Sequence, residues 1–129
     1  MPDTLLGGQQ LLLDNGISSF SGTFNLVLQS DGNLVLSINA QGTTAALQNR
    51  PIWAAFTQNQ GATQCNMQQD GNLVVYNGAG QPLWNSGTEG NPGAFLVVQD
   101  DGNMVIYNQE LQPLWQTGTS AAEAPGVNA

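Results

Sequence analysis

An all-β fold with pseudo-threefold internal symmetry is what this sequence predicts, and three observations predict it. A nearly constant nine-residue stretch is written three times, as Gln29 to Ser37, Gln68 to Tyr76 and Gln99 to Tyr107. Each is an Asp-Gly-Asn knot between runs rich in Val, Leu and Ile, a strong short-range signal for a β-hairpin. A Pro-Ile-Trp or Pro-Leu-Trp tripeptide follows each stretch, and Trp53, Trp84 and Trp115 stand 31 residues apart. No segment carries helical periodicity, and glycine or proline recurs often enough to interrupt a long helix.

Taken in order, residues 1 to 20 hold two short apolar runs, around Leu5-Leu6 and Leu11 to Leu13, closed by Asp14-Asn15-Gly16. They read as strands that precede the first full repeat. Thr23 to Gln29 and Asn33 to Ile38 make the first hairpin, turning at Asp31-Gly32; the later turns fall at Asp70-Gly71 and Asp101-Gly102. Glycine supplies positive φ there, and Asp can bond its own downstream backbone. Asn39 to Arg50 loses the alternation and reads as a loop. Gln68 to Trp84 and Gln99 to Trp115 each span 16 residues against 24 from Gln29 to Trp53, so the loop holds the 8 residues by which the first repeat is longer. Proline heads each Trp strand, where it costs no ladder bond.

Three units this small cannot each bury an apolar face alone, so they share one core. The expected organisation is a single domain over residues 1–119, with repeats at roughly 20–53, 60–84 and 91–115. Residues 120–129 are small and unpatterned, a tail or an arm that docks on a partner subunit. At 129 residues the chain can bury about 65–70% of its unfolded surface.

Strand alternation sorts the motif onto two faces. Leu73 and Val75 face one way; Asn72, Val74 and Tyr76 face the other, and Asn103, Val105 and Tyr107 repeat the pattern. A turn explains the Asp and the Gly. It requires neither the preceding Gln, nor the following Asn, nor the Tyr beyond it.

Composition narrows the partners. Nine acidic residues against one basic residue give a net charge of −8, which argues against phosphate-backbone recognition and anionic membrane surfaces. No run approaches the ~20 apolar residues of a membrane span. The N-terminus lacks a basic stretch followed by an apolar one, so the expected location is cytoplasmic, or that of a processed secreted form. Cys65 is the only cysteine, which rules out an intrachain disulfide and suits a small apolar core side chain. The three Trp residues fit a central cluster on the symmetry axis. Asp100-Asp101 falls short of the oxygen-rich loop that calcium requires, and neither metal nor cofactor is expected. His and Lys are absent, removing the usual base of a nucleophile triad, and the carboxylates that a glycosidase needs have nothing to pair them. The expectation is a non-catalytic protein.

The motif QxDxNxVxY resembles the signature of the monocot mannose-binding lectins, also called bulb lectins. It is complete at Gln68, Asp70, Asn72, Val74 and Tyr76, and again at Gln99, Asp101, Asn103, Val105 and Tyr107. With the recurring Trp, the resemblance runs from about residue 5 to 119. It implies a β-prism II fold of three four-stranded antiparallel sheets with one shallow sugar site per sheet. By that resemblance Asp70 and Asn72 bond the axial 2-hydroxyl of mannose, Gln68 the 3-hydroxyl and Tyr76 the 4-hydroxyl, while Val74 packs on ring carbons. Asp101, Asn103, Gln99, Tyr107 and Val105 repeat these roles in the third repeat.

The residue chemistry agrees: a carboxylate with two carboxamides can satisfy hydroxyls that both donate and accept. The first repeat, with Gln29, Asp31, Asn33 and Val35, departs from the motif because Ser37 replaces Tyr, which makes it a weaker or lost site. Gly32 takes the place of one half of a disulfide that many plant members carry. The implied partners are mannose-containing glycans or glycoproteins, with a homodimer paired through the segment from about Thr117 to Ala129. The competing reading is a prism-fold protein-interaction or toxin and defence module with degenerate sugar sites.

Overall fold

The computed structural model describes residues 2–39 and 50–120; most of the Asn39 to Arg50 loop and of the C-terminal tail lies outside them. Among the described residues, twelve strands form three antiparallel four-stranded sheets and there is no helix. Three short strands come first: β1 (Thr4–Leu5), β2 (Gln10–Leu12) and β3 (Gly16–Ser18). The first repeat gives β4 (Phe24–Leu28), β5 (Leu34–Ile38) and β6 (Arg50–Ala54). The second gives β7 (Ala62–Met67), β8 (Leu73–Asn77) and β9 (Pro82–Asn85), and the third β10 (Phe95–Val98), β11 (Met104–Tyr107) and β12 (Pro113–Gln116).

The N-terminal arm visits the sheets in the reverse of the order in which the repeats build them. β1 pairs with β10, β2 with β7 and β3 with β4, so each repeat supplies three strands and borrows its fourth. Here the arm differs from its sequence reading: it holds three strands, and Asp14-Asn15-Gly16 leads into β3 instead of closing the arm. A single apolar residue, Ile17, anchors β3 in the core, too little alternation to register as a strand.

The inward faces carry what alternation assigned to them. Leu34 and Leu36, Leu73 and Val75, and Met104 and Ile106 are fully buried, one pair from the middle strand of each sheet. Each Trp strand is bulged. Trp53 pairs across from Leu36, Trp84 from Val75 and Trp115 from Ile106, with one extra residue before each Trp. A bulge of this kind sets two successive residues on the same side. Ile52, Leu83 and Leu114 therefore pack on the core together with the Trp rings. The three indoles meet one another edge to face, with centroids 5.5–5.6 Å apart and interplanar angles of 69–77°. That closed triangle joins the sheets at their common centre.

Cys65 on β7 is fully buried, and desolvation pushes its thiol up to about 12 from 9.0. The folded value lies above the unfolded one, so the stability this neutral thiol contributes is complete below pH 9 and is lost as pH rises toward 12. The slope is about 1.4 kcal/mol per pH unit across that window. Urea midpoints of the wild type and Cys65→Ala at pH 8 and pH 10.5 should converge as pH rises; a pH-independent gap would refute the assignment. In the native state the thiol should resist aromatic disulfide reagents until the chain unfolds.

Candidate functional site

Each motif begins with a three-residue turn. In the second repeat the Gly71 N–H donates to the Gln68 carbonyl (3.1 Å) and the Gln68 N–H to the Asn72 carbonyl (2.9 Å), the form in which a left-handed residue closes the loop. Gly71 has φ +96°, and a Cβ there would lie 2.3 Å from the Asn91 carbonyl oxygen, so this glycine serves close approach as well as turning. Asp70 Oδ1 accepts the Asn72 N–H at 3.0 Å, as Asp101 accepts Asn103 and Asp31 accepts Asn33, both at 2.9 Å. One carboxylate oxygen thus holds the turn, and the exposed carboxyl group can present the other outward.

On the outer face Gln68 Nε2 donates to the Tyr76 hydroxyl, and Gln99 Nε2 to that of Tyr107. The tether spends one amide hydrogen and leaves Gln Oε1 as an acceptor and the phenol hydrogen as a donor. Val74 and Val105 are only 3% exposed, so they form a floor between Asn and Tyr and offer a ring little area. The structure therefore brings Gln, Asp, Asn, Val and Tyr together in the second and third repeats. In the first, Gln29, Asp31, Asn33 and Val35 gather in the same way, but Ser37 on β5 offers no phenol.

The Asn is the best-connected member. Asn103 Oδ1 accepts from the Thr117 hydroxyl (3.2 Å) and from the Gly118 (3.0 Å) and Thr119 (3.4 Å) N–H groups, while Nδ2 donates to Gln116 Oε1 at 2.7 Å. Asn72 does the same with Ser86 (3.1 Å), Gly87 (3.0 Å) and Thr88 (3.2 Å), and its Nδ2 reaches Asn85 at 3.5 Å. The partners are bound in turn. Thr57, Thr88 and Thr119 donate to the carbonyls of Gly32, Gly71 and Gly102, so the segment after each Trp is stapled to the motif turn.

Sequence reasoning missed this second ring, although a signal was present: Asn85-Ser-Gly-Thr88 and Gln116-Thr-Gly-Thr119 recur directly after Trp. The first repeat reads Ala54-Ala-Phe-Thr57 instead. Phe56 occupies the position of Gly87 and Gly118 and shares their left-handed backbone, with φ 59° against 71° and 73°. That conformation costs a residue bearing Cβ about 1–2 kcal/mol. Phe56→Gly should therefore leave stability unchanged or raise it by about 1 kcal/mol, as a thermal melt would show.

Asp100, the second residue of the third motif, points elsewhere. The Ser21 N–H donates to its Oδ1 at 2.9 Å and, with the Ser21 hydroxyl, holds the carboxyl below its usual range. It ties the β3–β4 loop to the third turn.

No protein-family model matches the chain. A mannose-specific agglutinin from snowdrop (Galanthus nivalis) bulbs, solved in complex with methyl-α-D-mannoside, is 35% identical and superposes with a TM-score of 0.70 over 91% of this chain and 96% of that one. Monomeric monocot mannose-binding lectins from Gastrodia elata are 30% identical, with a TM-score of 0.75 over 91% and 97% of the respective chains. Plumieribetin, a B-type lectin of Scorpaena plumieri, is 35% identical over 79 residues, or 61% of this chain and 56% of that protein, so the match spans little more than half of the relative's length.

Proposed function

Because the chain belongs to the monocot mannose-binding, or bulb-type, lectin family with its β-prism II fold, we propose that it binds terminal α-mannose or mannose-rich glycans without transforming them. Residues 1–119 act as one lectin domain. The sites are Gln68, Asp70, Asn72, Val74 and Tyr76 in the second repeat and Gln99, Asp101, Asn103, Val105 and Tyr107 in the third.

One observation carries this reading. In both repeats the donors and acceptors that a neutral pyranose needs are already fixed by bonds among themselves, Gln to Tyr and Asp to the Asn backbone. A merely solvated hairpin face has no reason to order five side chains twice over. Preorganisation lowers the entropy lost on binding, which matters for a shallow site. An axial hydroxyl held between Asp and Asn would discriminate against the equatorial epimer, since the wrong epimer leaves buried polar groups unpaired.

A few hydrogen bonds on an open sheet give a Kd near millimolar, about −4 kcal/mol, so useful affinity comes from several sites engaging one branched glycan. Pairing of two chains would double the number of sites; sedimentation equilibrium decides it. Asp70→Asn is the sharp test, because its Oδ1 can still accept the Asn72 N–H while the charged acceptor is gone. A glycan array of wild type, Asp70→Asn, Asp101→Asn and the double variant should show mannose signals falling about tenfold or more per site, the worth of a charged hydrogen bond. Four indistinguishable profiles would remove the carbohydrate reading and favour a protein-interaction module.

A further inference from the structure

The first repeat is built for something other than a weakened copy of its neighbours. Where they place Asn85 and Gln116 to engage the motif Asn, it places Ala54, which offers no side-chain acceptor. Among the described residues Nδ2 of Asn33 therefore has no partner across the strand, while its Oδ1 still accepts the Thr57 N–H at 3.1 Å. Gln29 likewise lacks the phenol that tethers Gln68 and Gln99, because Ser37 stands in its place. The polar end of the site keeps its groups and frees their hydrogens.

The wall beside these groups has turned apolar. A groove of about 420 Å³ is lined by Gln29, Asn33, Val35, Ile52, Ala54 and Phe56. Phe56 is 71% exposed, so it adds nothing to the core, and it holds a strained backbone that the sister repeats give to glycine. A strained, exposed aromatic at a site rim is a feature that stability alone does not retain. Its place matters as well. Ala54 pairs across from Val35, and the Thr57 N–H reaches Asn33, so Phe56 sits at the turn end of β5, opposite the end where Tyr is missing. The aromatic contact has moved from one end of the groove to the other. The volume lies in the range that accommodates an aglycone besides a sugar ring.

We propose that this groove binds an amphipathic glycoside: a hexopyranose whose hydroxyls meet Gln29, Asp31 and Asn33, with an apolar, preferentially aromatic aglycone lying against Phe56. The inference rests on the carbohydrate reading of the motif and adds a ligand class that the second and third repeats, with Gly87 and Gly118 at this position, do not select.

The experiment uses the Asp70→Asn/Asp101→Asn chain, in which the other two sites are weakened, titrated with phenyl α-mannoside and methyl α-mannoside. Amide spectra are followed at Asn33, Ala54 and Phe56. Phenyl mannoside should bind there about tenfold more tightly than methyl mannoside. Adding Phe56→Gly, which restores the residue of the sister repeats, should bring the ratio close to one, and Phe56→Tyr should keep it. Equal affinities, no response at these amides, or a preference that survives Phe56→Gly would each overturn the proposal. In the wild type, phenyl mannoside shifting the amides around Tyr76 and Tyr107 beside a silent first repeat sinks this inference alone; silence at all three sinks the carbohydrate reading with it.

Discussion

Trp84→Ala is expected to lower the unfolding free energy by about 3–5 kcal/mol, the cost of truncating a large aromatic in a packed interior. For a domain of 129 residues, whose total stability is on the order of 6–15 kcal/mol, that is a fifth or more of the whole. The ring is only partly buried, which argues for the lower half of the range, but it touches two other indoles. Each sheet contributes one member of the triangle and, among the described residues, no other aromatic contact joins all three, so the loss should fall on the prism as a whole. Far-UV dichroism in urea should show one cooperative transition shifted down, not a separate early unfolding of β7 to β9.

Coupling among the rings gives the more discriminating number. Edge-to-face pairs are worth about 0.5–1.5 kcal/mol beyond their buried area. Trp84→Ala and Trp115→Ala should therefore be non-additive by about that amount, the double variant losing less than the sum of the two. Additivity within about 0.3 kcal/mol would mean that the rings merely fill space.

The repeat, the Trp spacing and the outward row of Asn, Val and Tyr were legible because each is a local signal written more than once. Asp-Gly-Asn dictates a turn wherever it stands, and period-2 alternation divides Leu73 and Val75 from Asn72, Val74 and Tyr76 without knowledge of the partner strand. What escaped was non-local. β3 exists because Ile17 finds a place beside β4, a fact about the sheet that no three-residue window expresses. The bulges before Trp53, Trp84 and Trp115 were hidden for the same reason, since register is a property of two strands. The ring of Ser and Thr around Asn72 and Asn103 was visible as a recurrence but not as a contact. Thr88 and Thr119 lie 16 residues beyond the Asn they hold, and only the closed hairpin brings them near.

That ring makes Asn103 the residue where stability and recognition can be pulled apart. Asn103→Ala removes the acceptor for the Gly118 and Thr119 N–H groups and the Thr117 hydroxyl at a position only 8% exposed. Unsatisfied buried donors cost about 1–3 kcal/mol each, and water can reach some of these, so a total of about 2–4 kcal/mol is expected. Sugar binding in the third repeat would be lost as well, because the amide that would meet the sugar hydroxyl is gone, although Thr119 still bonds the Gly102 carbonyl. Asn103→Asp gives a different outcome. A carboxylate still accepts all three hydrogens, more strongly for its charge, but it cannot donate to Gln116 or to a sugar hydroxyl. Stability should fall by no more than about 1 kcal/mol, while mannose binding at that site drops by tenfold or more. Thermal melts, and titrations of methyl mannoside on the Asp70→Asn background followed at the amides around Tyr107, measure both. If the two variants lose stability equally, the Oδ1 network is not what holds the segment; if Asn103→Asp binds normally, the amide nitrogen plays no part in recognition.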